Sequence, residues 1–168
     1  MPPSSPEDIG RELSDLAFGI IEQNWLEQHL GKVLDLKSLE HPDAAEWELT
    51  YLIFFAITSG CGALAPTDPE RATAILKSFH VIVLRHIAEQ AGQEIADAHR
   101  ENLPGRYRLY GDAVKGETKD GRYALLGEAA ALQILGRPIE DLQTADLFRE
   151  TIKVIFTEVR DAAIKTLR

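Results

Sequence analysis

Arg85 stands in the run FHVIVLRHIA, between His80 and His86, in the surroundings that most suggest chemistry in this chain. A guanidinium carried into an apolar interior must meet a carboxylate or a bound anion, because burying an unpaired charge is costly. Two partners are open to it. An acidic residue of the first helix would make a structural ion pair, and the carboxylate or phosphate of a ligand would make a binding site. The structural pair is the plainer reading. His80 and His86 are six residues apart, so on a helix their imidazoles diverge by roughly 120° and do not easily share a metal. No carboxylate lies three or four residues before either histidine, and the Glu-x-x-His spacing of di-iron bundles is absent throughout. His80 by itself reads as a histidine at the edge of a core, holding one hydrogen bond.

Cys61 is the only cysteine of the chain. It has no sequence neighbour that would lower its pKa, so a small buried apolar residue is the default reading, and no thiolate metal cluster can be built. Ser59 lacks the G-x-S-x-G context of a nucleophile elbow. If the apolar run before Cys61 leaves space at its end, Tyr51, Cys61, His80 and Arg85 are the residues expected to line a pocket there. A second group lies between Arg100 and Arg122, where Arg106, Tyr107, Arg108 and Tyr110 are joined by Lys115, Arg122 and Tyr123. Interleaved cations and aromatic rings can take an anionic or nucleotide-like ligand by charge and stacking. On a helix, however, Tyr107, Tyr110 and Val114 share the core face, and the arginines are then solvated or paired with the acidic amino-terminal region. None of these patterns calls for a metal or a cofactor.

The elements that must position these groups follow from patterning. Trp47 to Ala65, WELTYLIFFAITSGCGALA, is apolar on every side and should lie at the centre of the fold. Its apolar part is shorter than the ~20 residues a bilayer requires, and Glu46 and Glu48 abut it, so a buried helix is expected and not a membrane span. Thr50–Thr58 and Val81–Ile87 are also rich in β-branched and aromatic residues, and Gly60 to Ala65 matches the G-x-G-x-x-A dinucleotide pattern. That pattern needs a helix beginning at the second glycine. Pro66 and Pro69 cut such a helix short, and no acidic residue ends a second strand about twenty positions on, so the strand reading is set aside. The small residues Ser59 to Ala63 mark either a tight crossing with the following helix or the floor of the pocket; the crossing is preferred.

Around this centre the spacing predicts a helix opening near Glu7, with Ser5 as cap and Pro6 in the first turn, and closing at Leu30-Gly31. Its apolar stripe runs from Ile9 to Ile21 and extends through Trp25 and Leu26. Asp43 is expected to cap the central helix, with Glu46 as reciprocal partner. Thr67-Asp68-Pro69-Glu70 is a strong start signal for a long helix over 69–101, stopped by Asn102-Leu103-Pro104-Gly105. A shorter helix follows from Gly105, then a turn over Lys115–Gly121. A helix over 122–135 carries the alanine patch 129–131, Gly136-Arg137-Pro138 breaks it, and a striped helix runs from Thr144 to the end. The fold class expected is all-α: residues 1–6 a mobile tail, and 7–168 one helical bundle of five or six helices around a buried pair, about 47–65 and 69–101.

The totals bound the function. A chain of 168 residues with 45% hydrophobic and 27% charged content fits one domain with one core. The net charge of −9 argues against nucleic acid as the main partner. Residues 1–48 carry eleven acidic and three basic side chains, a face that serves solubility or meets a basic protein partner. A lone cysteine and the absence of a secretory pattern in MPPSSPED suggest a cytoplasmic setting. The expected function is a non-enzymatic helical protein working through protein contacts, most simply as a homodimer. The alternative is a protein or enzyme binding an anionic metabolite in the pocket named above.

Overall fold

The computed structural model describes residues 4–22, 28, 30–31, 33, 35, 39–116 and 123–168, which contain six helices and no strand. Trp25, Leu26, Arg122, residues 117–121 of the turn expected over Lys115–Gly121, and residues 1–3 of the expected tail lie outside the described residues. Helix α1 spans Pro6–Glu22, and the Ser5 hydroxyl accepts from the Asp8 amide at 3.1 Å as its cap. Helix α2 spans Pro42–Cys61, and thirteen of its twenty residues are buried. It touches all five other helices, which is why none of its sides could be polar. It starts two residues earlier than a cap at Asp43 would have it. His41 takes the cap position without a side-chain hydrogen bond, and Asp43 falls inside the first turn.

Helix α3, Pro69–Ala91, begins as its start signal requires, with the Asp68 carboxylate accepting from the Arg71 amide at 3.0 Å. Its end differs from expectation. The long helix over 69–101 does not exist as one element: it breaks at Gly92, whose φ of 100° is open to glycine and unfavourable to other residues. Helix α4 then spans Gln93–Lys115, straight through Asn102-Leu103-Pro104-Gly105. Pro104 forfeits one backbone bond, but Pro104 and Gly105 are exposed, where water can take up the freed carbonyl. Ala96, His99, Leu103 and Tyr110 form the buried stripe that holds α4 together across the proline. Folding back at Gly92 brings α3 and α4 side by side, so that His80 meets Tyr107.

Helix α5 spans Ala124–Leu135, ended by Gly136 at φ 68°, and α6 spans Leu142–Thr166, capped by Asp141 accepting from the Thr144 amide at 2.7 Å. Three glycines set the close crossings. A Cβ on Gly10 would lie 2.6 Å from Ser78 Oγ, joining α1 to α3; one on Gly127 would lie 2.8 Å from Arg149 Cγ, joining α5 to α6. A Cβ on Gly60 would lie 2.9 Å from both the Ala163 Cβ and the Arg160 carbonyl oxygen. The small-residue end of α2 is therefore a tight crossing as preferred, but with α6 and not with the helix that follows it. The result is an all-helical, single-domain bundle wrapped around α2. Among the described residues no helix is long and apolar enough to cross a membrane.

Candidate functional site

Where α2 faces α4, a set of polar side chains enters the core together. Glu48 is 7% exposed and accepts from Arg106, whose Nε lies 2.8 Å from Oε1 and whose terminal nitrogen bonds the same oxygen. The Tyr110 hydroxyl donates to the other carboxylate oxygen at 3.4 Å. One turn further along α2, the Tyr51 hydroxyl shares a hydrogen bond with Nδ1 of the buried His99, and the Trp47 ring lies over the imidazole with centroids 3.8 Å apart. Burial lowers the pKa of His99 and raises those of Tyr51 and Tyr110; the nearby Glu48 carboxylate adds to both tyrosine shifts. All three rings are thus held neutral around neutral pH.

A second polar pair lies where α3 meets α4. The Leu76 carbonyl can only accept, so His80 Nδ1 carries the proton that donates to it at 2.7 Å. Burial lowers the His80 pKa, and in the neutral ring Nε2 accepts from the Tyr107 hydroxyl at 2.8 Å. Tyr107 is pushed far up, first by burial. Thr58 Oγ1 lies beside it and opposes that rise without reaching hydrogen-bond geometry. Cys61 is fully buried, and desolvation raises its thiol to about 11, well away from the thiolate a nucleophile requires.

The residues singled out in the sequence are therefore distributed as follows. Cys61, His80 and Tyr107 come together near the carboxyl end of α2. Tyr51 sits ten residues earlier, ~15 Å along the helix axis, in the His99 cluster. Arg85 is exposed: α3 turns Val83, Leu84 and Ile87 inward and leaves Val81 and Arg85 on its outer face. The premise of a buried guanidinium fails for it, and it joins no pocket with the other three. Arg106, itself half-buried, is the arginine that pairs with a buried carboxylate, and that partner, Glu48, belongs to the acidic region 1–48. Arg108 is exposed, so Arg106, Tyr107, Arg108 and Tyr110 do not make one ligand-facing patch. His86 packs its ring on Phe18, 4.0 Å between centroids, and points away from His80 as their spacing required.

Glu48 and His99 are the participants that sequence reasoning missed. Glu48 looked like the polar edge of an apolar run. The signal that could have found it is periodicity, since Glu48, Tyr51 and Phe55 occupy one side of a helix at i, i+3 and i+7. Among the described residues no group of three His, Cys, Asp or Glu side chains could hold a metal. A cleft of about 870 Å³ does open, but at the amino end of α2, between Val33 with residues 39–44 and the connection from α5 to α6. Ile134, Ile139 and Phe148 line its floor with Val33 and Leu39, and Glu40, His41, Arg137, Glu140 and Asp141 stand around it. Comparison with models of protein families, with curated proteins and with solved structures finds no match to this chain.

Proposed function

We propose that this is a non-enzymatic helical protein that acts through protein contacts, assembling first as a homodimer through α5 and α6. The observation that carries the reading is the distribution of exposed apolar side chains. Five of the seven large ones among the described residues, Leu125, Leu132, Leu142, Leu147 and Val154, belong to these two helices. Helix α5 has a single charged residue, Glu128, yet it leaves Leu125 and Leu132 in water at i and i+7. A helix apolar all round belongs in an interior, and a partner helix would complete one. The chemistry-bearing groups support the same reading from the other side. His80 is engaged with Tyr107, His99 with Tyr51 and Glu48 with Arg106, and the Cys61 thiol is buried and protonated.

The acidic region 1–48 is suited to a basic protein as a further partner, and the net charge of −9 disfavours nucleic acid. The lone cysteine, free and buried, accords with a cytoplasmic setting. Light scattering of the purified chain over micromolar concentrations tests the reading. The expected mass is twice the 18.7 kDa of one chain. A single-chain mass up to several hundred micromolar would overturn it.

A further inference from the structure

We infer that two copies of this chain join about a two-fold axis at the cleft, each inserting Leu142 into the cleft of the other; the inference rests on the homodimer reading above. Leu142 is 78% exposed, the highest value among the exposed large apolar residues, although it is the first residue of α6 and nothing in helix initiation asks for leucine there. It stands directly beside the cleft, whose wall includes Asp141 and Thr144 on either side of it. The floor beneath is apolar, with Phe148 fully buried and Ile134 6% exposed. A two-fold contact uses the same patch on both chains, so it requires a projection and a matching hollow side by side on one surface. This surface has both.

Charge points to the same occupant. The rim sets the cation of Arg137 among the carboxylates of Glu40, Glu140 and Asp141. Among the described residues Arg137 makes no ion pair. Two chains of net −9 repel one another, and they can approach most closely where each brings a cation to the other's carboxylates. A Lys- or Arg-rich peptide would meet Arg137 as a like charge, whereas a second copy turned about a two-fold axis offers Arg137 to an acidic rim twice. Seating Leu142 removes from water the most exposed large apolar side chain among the described residues.

Sedimentation equilibrium of the full chain tests this. Leu142→Glu is expected to raise the dimer dissociation constant at least tenfold while helical content by circular dichroism stays unchanged, because the side chain is exposed. Arg137→Glu is expected to weaken the dimer, and adding Glu140→Arg to it should restore much of the loss. Val81→Glu, on the outer face of α3 and away from α5 and α6, should shift the constant less than threefold. A dimeric wild type with Leu142→Glu equally dimeric would overturn the cleft as the seat while leaving the homodimer intact. A wild type that is monomeric throughout would overturn the homodimer reading and the seat together.

Discussion

Replacing Gly60 by alanine sets two effects of similar size against each other, and the structure decides which wins. Gly60 lies in the last turn of α2, where alanine gains roughly 0.5–1 kcal/mol over glycine from backbone entropy alone. Against this, the new methyl would stand 2.9 Å from the Ala163 Cβ and 2.9 Å from the Arg160 carbonyl oxygen. Carbon atoms rest at about 3.5–4.0 Å, so α2 and α6 must separate by roughly 0.5–1 Å. Both obstructing atoms belong to the backbone or its first side-chain carbon, and neither can rotate away. Overpacking of this kind costs about 1–3 kcal/mol, leaving a net loss of about 1–2 kcal/mol, or roughly 2–8 °C in Tm for a chain of this size. Gly105 is the control: it lies inside α4 with nothing within 4 Å of an added Cβ, so Gly105→Ala should stabilise by about 0.5–1 kcal/mol. Both variants are measured by thermal and urea unfolding at one fixed protein concentration, because dimerisation shifts Tm. Adding Ala163→Gly to Gly60→Ala should recover part of the loss through a coupling above about 0.5 kcal/mol. A folded Gly60→Ala at least as stable as the parent would refute the tight crossing of α2 and α6.

Arg106→Met leaves the Glu48 carboxylate buried with only a long bond from Tyr110, so urea unfolding at pH 7 should show a loss of about 2–4 kcal/mol. Adding Glu48→Gln should recover at least half of it, and a single-variant loss below ~0.5 kcal/mol would mean the pair is solvated. His80 and His99 have folded pKa values below the ordinary 6.5, so the unfolded chain takes up their protons first as pH falls. Stability from these two is therefore intact above pH ~6.5 and declines below it. The urea midpoint should drop between pH 7 and 5, and His99→Gln should flatten that slope. Cys61, fully buried with its thiol raised to about 11, should resist a thiol reagent at pH 8 until the chain unfolds. Prompt stoichiometric labelling of the native protein would contradict that placement.

Helix α2 could be recognised in the sequence because an apolar run without a polar side has few places to go, and α3 and α6 because their stripes keep helical spacing. The α3–α4 boundary could not. Gly92 sits in the polar run EQAGQE, where a glycine costs a helix only about 1 kcal/mol and reads as tolerable. Pro104-Gly105 has the local chemistry of a stop. The outcome was set by tertiary packing: Leu103 and Tyr110 are buried on one stripe across the proline, while Gly92 alone could take φ 100° and let α4 fold back. The same limit explains Arg85. Its neighbours in sequence are apolar, but burial follows the helix turn, and position 85 shares the outer face with Val81. The arginine that meets a buried carboxylate is the half-buried Arg106, and its pairing with a residue fifty-eight positions earlier is a product of packing that no local pattern encodes.

In the proposed homodimer, α5 and α6 meet a second copy of the chain. Isotope-filtered NMR on an equal mixture of methyl-labelled and unlabelled protein tests it most directly, because it detects only contacts between chains. Intermolecular cross-peaks are expected from the methyls of Leu125, Leu132, Leu142, Leu147 and Val154. Cross-peaks confined to other helices, or none from a sample tumbling as a single chain, would contradict it.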